Sequence, residues 1–192
     1  DNLLLSSIHK DGIINNQGIC SSVNSQWIMT QLALDKKDEA FKTYDSMNKI
    51  GSLCLDNGLV ASSVDNDTLE PSSLIYSAKN SLWLQALSGL GFYKEAQKTY
   101  YSMVGLDNLV FDSFLIGICV EPDNRIVDNS ILSGNNLLWM QALLDMGKRE
   151  EAAKVYESMS KLYNLVRSDG LLKVSNESDG NRYIPTIEPG DN

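Results

Sequence analysis

The sequence predicts an all-α repeat fold in which three helix pairs alternate with extended linking segments. Two observations carry this prediction. The three tryptophans, Trp27, Trp83 and Trp139, are spaced by 56 residues each time. The residues around them repeat in phase without a gap, and apolar residues recur at helical spacing within each copy. We therefore expect one repeat domain over residues 1–192.

The period divides this domain into three units and a partial linking segment. The linking segment covers residues 1–23, and the units cover 24–79, 80–135 and 136–192. Each unit contains asparagine, glutamate and tyrosine at equivalent positions. These are Asn24, Asn80 and Asn136; Glu39, Glu95 and Glu151; and Tyr44, Tyr100 and Tyr156. The repeat is a property of this one sequence, and it predicts that the units share one structure.

Each unit contains the pattern of two helices. The first helix of the second unit has apolar residues at i, i+3, i+4 and i+7, namely Trp83, Ala86, Leu87 and Leu90. Asn80 is expected to cap its start, and Gly91 to end it, as Gly147 does in the third unit. Asp35 stands at that position in the first unit. The second helix carries its apolar stripe at Ala96, Tyr100, Met103 and Leu106.

The linking segments are predicted to be extended. Residues 59–64 and 74–76 are rich in strand formers, and residues typical of turns lie between them. The turn residues of the other copies are Lys10-Asp11-Gly12, Pro122-Asp123-Asn124 and Ser178-Asp179-Gly180. A short β-hairpin or an ordered loop is therefore expected before each helix pair and after the last one.

Composition excludes several classes of function. The apolar fraction of 43% suffices for a packed core, and the net charge of −9 argues against a nucleic-acid partner. No apolar run is long enough to cross a membrane. Cys20, Cys54 and Cys119 form neither a CxxC pair nor a zinc spacing, so we expect free, buried thiols. No phosphate loop or dinucleotide fingerprint is present, and we predict no cofactor and no metal.

Parts of the repeat resemble known families. The residue pattern of each helix pair is similar to that of tetratricopeptide units, but the period of those units is about 34 residues. A longer residue pattern, which includes the linking segment as well as the helix pair, resembles the repeat of six-hairpin α/α toroid glycosidases. It consists of Asn57-Gly58-Leu59-Val60, Asp67, Ile75, Asn80, Trp83, Ala86-Leu87, Gly91 and Glu95-Ala96, and Asp169-Gly170-Leu171-Leu172 begins it again. This resemblance implies an α/α toroid-like fold and a carbohydrate-related function at the loop end of the ring. Three helix pairs make half of such a ring, so we expect either a longer parent protein or self-association that completes the ring.

Glycoside hydrolysis would need two carboxyl groups flanking the scissile bond. Glu70, Asp128 and Glu188 are loop acids that do not recur in every unit, and they are the candidates for this role. The repeated tryptophans and tyrosines are expected in the core rather than on a sugar platform. The acids at the hairpin tips are assigned to turn formation rather than to calcium binding, and His9 to a solvated turn.

Two hypotheses of function follow from the repeat and its resemblance. The first is a carbohydrate-related toroid module that binds or processes a glycan, with glycosidase-like activity in the full-length parent or dimer if it is an enzyme. The alternative is a non-catalytic helical-repeat scaffold that binds a protein partner. The sequence assigns no compartment.

Overall fold

A computed structural model describes residues 3–4, 18–65, 68–162, 165–173, 175–176 and 183–184. Within these residues the chain forms six α-helices, a π-helical turn and eight short strands. In chain order they are β1 (Ile19–Cys20), α1 (Ser21–Ala33), α2 (Lys37–Lys49), β2 (Ser63–Val64), β3 (Ile75–Tyr76), α3 (Ser77–Leu90), α4 (Tyr93–Val104), β4 (Cys119–Val120), β5 (Ile126–Asp128), β6 (Ile131–Leu132), α5 (Ser133–Asp145), α6 (Arg149–Glu157), the π-helical turn (Ser158–Leu162), β7 (Ser175–Asn176) and β8 (Tyr183–Ile184).

The helices form three pairs in two layers. We call α1–α2, α3–α4 and α5–α6 units 1, 2 and 3. The first helices of the units lie side by side, with α3 between α1 and α5, and each second helix packs on the first helix of its own unit. This arrangement confirms the predicted all-α repeat. None of the helices in the described ranges is long and apolar enough to span a membrane.

The glycines behave as predicted at the ends of the first helices. Gly91 and Gly147 have φ angles of +83° and +76°. Asp35, which replaces glycine in unit 1, adopts the same left-handed conformation with φ of +58°. This conformation turns the chain sharply into the second helix.

The asparagines recur at equivalent positions of the units for a different reason from the one expected. The first helices begin at Ser21, Ser77 and Ser133, three residues before the asparagine. The prediction that asparagine caps these helices is therefore wrong.

The asparagine side chain instead binds the backbone of the preceding linking segment. Asn80 accepts a hydrogen bond from the Val60 N–H at 2.8 Å and donates to the Val60 carbonyl at 3.2 Å. It also donates to the Tyr76 carbonyl at 3.0 Å. Asn136 binds Ile116 in the same way, and Asn24 binds Leu4. The peptide groups of Val60 and Ile116 are buried and need a partner inside the protein, and the asparagine supplies it.

Stacked aromatic rings join neighbouring units. Tyr44 of unit 1 stacks on Trp83 of unit 2 with ring centroids 5.7 Å apart, and Tyr100 stacks on Trp139 at 5.9 Å. The interplanar angle is 10° in both pairs. The prediction that the tryptophans lie in the core is confirmed for Trp83 and Trp139.

The aromatic rings at the two ends of the row of units are more exposed to solvent than Trp83 and Trp139 are. Trp27 is half-buried. Tyr44 is also half-buried, and Tyr100 is buried. Tyr156 is 57% exposed, so the prediction of a core position is wrong for this residue. The physical reason is that the described units provide no tryptophan for Tyr156 to stack on.

The linking segments pair with one another in three small sheets. β1 pairs with β2, β3 with β4, β4 with β5, β6 with β7, and β7 with β8, all antiparallel. The pairs β4–β5 and β7–β8 are the predicted hairpins. The other pairs join the end of one linking segment to the start of the next. Because β1, β3 and β6 directly precede the first helices, all three sheets gather at one end of the stack, which we call the linking end.

Candidate functional site

The linking end carries a polar cluster at the junction of units 1 and 2. We call Lys79, Cys20, Ser62 and Tyr76 the Lys79 cluster. Lys79 lies in the first turn of α3, Cys20 and Tyr76 end the strands that lead into α1 and α3, and Ser62 precedes β2. The cluster forms because β1 and β2 pair, which places residues from two successive linking segments beside the start of α3.

The ammonium group of Lys79 connects the members of the cluster. It donates to the Ser62 hydroxyl, to the Ser62 carbonyl at 3.4 Å and to the Cys20 sulfur at 3.8 Å. It also lies 5.1 Å from the centroid of the Tyr76 ring, over its face. Lys79, Cys20 and Tyr76 are all partly accessible to solvent. The cluster therefore presents a cation, a thiol and an aromatic ring at one surface, while the Ser62 hydroxyl is buried beneath Lys79.

The Cys20 thiol is more acidic than an ordinary thiol. Burial raises its pKa, but a hydrogen bond with the Ser22 hydroxyl, a hydrogen bond with the Val23 backbone and the positive charge of Lys79 together outweigh burial and lower the pKa. Cys54 behaves in the opposite way, because burial raises its pKa to about 12. Cys20, Cys54 and Cys119 are free, as predicted, although only Cys119 is fully buried.

The Lys79 cluster departs from the repeat. The positions equivalent to Lys79 are Val23 and Asn135, and Ile118 stands at the position of Ser62. The motifs in the sequence did not point to this cluster. The interruption of the period by a charged residue was the available signal, since a residue that breaks a repeat is a candidate for function.

A cleft lies between the second helices of units 1 and 2. This cleft has a volume of about 250 Å³, and its lining includes Tyr44, Trp83, Glu95 and Thr99. Gly58, which has φ of +89°, also lines the cleft and lies against Lys98 and Thr99. Phe114 stands at the equivalent position one unit later, where its carbonyl accepts a hydrogen bond from the Trp139 indole at 3.1 Å. The two aromatic faces in the cleft cover each other, which leaves little ring surface for a ligand.

The predicted acids lie in different linking segments. Glu70 is exposed, and its carbonyl accepts a hydrogen bond from the Asp65 N–H. Asp128 ends β5, and its carboxylate accepts a hydrogen bond from the Ser130 N–H at 2.9 Å. No described contact joins the two carboxylates. Glu188 lies outside the described residues.

The hairpin-tip acids that the structure describes take part in turns. The Asp65 carboxylate accepts hydrogen bonds from the N–H and hydroxyl of Thr68, and the Asp123 carboxylate accepts one from the Arg125 N–H. Glu121 forms an ion pair with Arg125. Among the described residues no group of three potential ligands could hold a metal ion. His9, Asp67, Glu177 and Asp179 lie outside these residues.

Comparison with known proteins gives matches at the level of structure. No family model matches the sequence. No curated protein sequence matches either.

Several solved structures share the arrangement of helices. A D-mannose isomerase matches with a TM-score of 0.72 and 11% identity, over 91% of this chain and 49% of its own. An endoglucanase from Klebsiella pneumoniae, a family 8 glycosyl hydrolase, matches with a TM-score of 0.66 and 14% identity, over 94% and 64%. A cellobiose 2-epimerase from Bacillus thermoamylovorans matches with a TM-score of 0.64 and 13% identity, over 88% and 51%.

These matches define the fold. The chain has the α/α toroid fold that the sequence resemblance implied, in the form of a half-ring of three helix pairs. It spans about half to two thirds of the length of the structures it matches. At these identities the likeness shows the fold alone, and function has to be argued from the residues.

Proposed function

We propose that this half-ring contributes to a site that binds or processes a carbohydrate at its linking end. The Lys79 cluster is the observation that carries the proposal. It brings the partly accessible Lys79, Cys20 and Tyr76 together where successive linking segments meet, and it interrupts the repeat. The names of the matching structures, an isomerase, an epimerase and a glycosyl hydrolase of sugars, agree in the chemical class of ligand.

The chemistry of the cluster suits a sugar. A pyranose ring offers hydroxyl groups that can accept a hydrogen bond from the Lys79 ammonium group in place of one of its present acceptors. Its C–H face is apolar and packs on an aromatic ring such as Tyr76. Lys79 holds these partners in place before a ligand binds, which reduces the loss of side-chain entropy on binding.

Any hydrolysis would require carboxyl groups in addition to this cluster. We retain Glu70, Asp128 and Glu188 as candidates, since general acid and base catalysis needs a protonated and an ionised carboxyl on either side of the bond. Glu70 and Asp128 lie in successive linking segments, on the same end of the stack as Lys79. A complete pair would belong to the whole ring rather than to one segment.

A glycan array followed by titration calorimetry tests the binding proposal. The protein is screened at neutral pH, and the tightest glycan is titrated into the wild type and into Lys79→Met and Tyr76→Ala. Loss of a charge-assisted hydrogen bond is expected to weaken binding by about tenfold or more. Lys94→Met and Tyr93→Ala, at exposed positions on α4, serve as matched controls and should bind as the wild type does. Absence of binding across the array, or equal binding by Lys79→Met, would contradict the proposal.

Reducing-sugar release tests the catalytic part separately. If the protein releases sugar, Glu70→Gln, Asp128→Asn and Glu188→Gln are assayed one at a time with the melting temperature as a check on folding. A required acid or base is expected to contribute a factor of about 100 or more to the rate. Wild-type rates in all three variants would remove these residues as candidates.

One observation favours the alternative function of a protein-binding scaffold. Strand β5 lies at the edge of its sheet, and its residues Ile126 and Val127 are 50% and 46% exposed. An exposed apolar edge strand is able to pair with a strand of another protein. Under this alternative, Ile126→Lys would abolish capture of a stoichiometric protein partner, and Lys79→Met would leave it unchanged.

A further inference from the structure

An open hollow lies where the first helices of the three units end, at the opposite end of these helices from the linking end. We call it the far-end hollow, and its volume is about 340 Å³. All three first helices contribute to it. The lining residues are Met29 and Leu32 of α1, Gln85, Ser88 and Gly89 of α3, and Asp145, the last residue of α5.

Unit 2 departs from the repeat at this hollow. Ser88 stands where units 1 and 3 have Leu32 and Leu144. The Ser88 side chain is 8% exposed, and its hydroxyl has no hydrogen-bond partner among the described residues. A buried hydroxyl without a partner lowers stability relative to the leucine of the other units. A residue that both interrupts the repeat and lowers stability is a candidate for function.

The hollow presents hydrogen-bond acceptors. Gln85 is only 9% exposed, and its amide nitrogen donates to the Leu138 carbonyl at 2.9 Å. This bond fixes the orientation of the amide and leaves its oxygen, which accepts no described hydrogen bond, as the available atom. The exposed Asp145 carboxylate accepts one hydrogen bond, from the Gln141 amide at 2.8 Å, and has capacity for more.

The electrostatic surroundings favour a positive charge. Since α1, α3 and α5 all begin at the linking end, their carbonyl ends meet at the hollow, and a helix has a partial negative charge at this end. None of these three helices, which the structure describes in full, has a basic residue in its last turn. The lysines that follow α1 and α5 pair with glutamates instead, Lys36 with Glu39 at 3.5 Å and Lys148 with Glu151 at 3.2 Å.

We infer that the far-end hollow binds a small primary aliphatic amine in its protonated form. An ammonium group has three N–H donors, and the acceptors are the Gln85 amide oxygen, the Ser88 hydroxyl and the Asp145 carboxylate. The Ser88 hydroxyl has no partner to give up, and it reaches the ligand by rotation about χ1. The alkyl chain of the amine packs on Met29 and Leu32, the apolar side chains of the lining.

Other classes of ligand fit the hollow less well. Asp145 repels an anion, and a sugar finds no aromatic ring among the lining residues, all of which are described. A calcium ion takes about six to eight oxygen ligands, whereas one carboxylate lines the hollow. A quaternary ammonium ion has the charge but lacks the N–H donors that the three acceptors require.

A titration followed by NMR tests the choice of ligand. n-Butylamine, which is protonated at neutral pH, is added to the isotope-labelled full chain, and the backbone amide signal of Gly89 is followed. We expect a saturable shift with a dissociation constant of about 1 mM, as suits so small a ligand. 1-Butanol and tetramethylammonium are the matched ligands without the charge and without the N–H donors, and neither should shift the signal. Absence of saturation with n-butylamine, or an equal response to 1-butanol, overturns the inference.

Two variants test the residues of the site. Asp145→Asn removes a charge at an exposed position and is expected to raise the dissociation constant about tenfold or more. Asp45→Asn, which makes the same change at an exposed position on α2, is the matched control. Ser88→Leu restores the residue of the other two units. It should abolish binding without lowering the melting temperature, because it fills the hollow and removes the unpaired hydroxyl.

Equal binding by Asp145→Asn and the wild type contradicts the inference, as does wild-type binding by Ser88→Leu. The result is independent of the proposed carbohydrate site, because Lys79 lies in the first turn of α3 and the hollow lies at its other end. Lys79→Met should therefore bind n-butylamine as the wild type does. A parallel loss in Lys79→Met would show that the signal does not report on the far-end hollow and would overturn the assignment.

Discussion

Replacement of Asn80 by alanine should be one of the most damaging changes outside the apolar core. The Asn80 side chain is fully buried and holds both the N–H and the carbonyl of Val60, which is itself buried. Asn80→Ala leaves one donor and one acceptor without a partner, at about 1–3 kcal/mol each. The Tyr76 carbonyl retains its helical partner. We expect the free energy of unfolding to fall by about 3 kcal/mol, and the melting temperature by roughly 6–12 °C.

Guanidinium denaturation followed by circular dichroism measures this loss. Asn48→Ala is the matched control, because Asn48 is exposed on α2 and its hydrogen bonds are to the solvent-accessible Tyr44. Its stability should change by no more than about 0.5 kcal/mol. Asn136→Ala should resemble Asn80→Ala, and Asn24→Ala should cost less, because its partner Leu4 is 39% exposed. A loss below about 1 kcal/mol for Asn80→Ala would refute the reasoning that orphaned peptide groups dominate.

Three further predictions follow from single contacts. Iodoacetamide at mildly alkaline pH should modify Cys20 well before Cys54, because the pKa of Cys20 is lowered and that of Cys54 is raised to about 12; mass spectrometry that finds Cys54 modified first would contradict this. Gly91→Ala should cost about 1 kcal/mol, since Gly91 has φ of +83°, and an unchanged denaturation midpoint would count against it. Trp139→Phe should cost about 2 kcal/mol or more, because it removes the indole hydrogen bond to the Phe114 carbonyl and leaves a cavity in the core, and equal stability would contradict this.

The features predicted well from the sequence are local ones. The helix pairs follow from apolar residues three and four positions apart, and the ends of the first helices follow from Gly91 and Gly147. Because the same pattern occurs three times, the structure at an irregular position in one copy can be assigned from the equivalent positions in the other copies. This is why Asp35 could be placed in the position of a glycine.

The features that were missed depend on residues far apart in the sequence. Lys79 meets Cys20 across 59 positions, and Ser21 binds the Ser62 carbonyl across 41. The period identifies equivalent residues, but it does not say which position of one unit faces which position of the next. The role of Asn80 was mistaken for the same reason, since an asparagine near a helix start satisfies a local rule equally well. The catalytic assignments of Glu70, Asp128 and Glu188 remain predictions.

The way in which the asparagines hold the linking segments affects how such a protein evolves. Asn24, Asn80 and Asn136 form hydrogen bonds with the backbone of Leu4, Val60 and Ile116. Every residue except proline has both the N–H and the carbonyl group that these bonds require. A mutation in a linking segment can therefore change a side chain while the backbone of the segment stays hydrogen-bonded to the helices. A repeat scaffold of this kind is therefore able to carry a different surface in each unit.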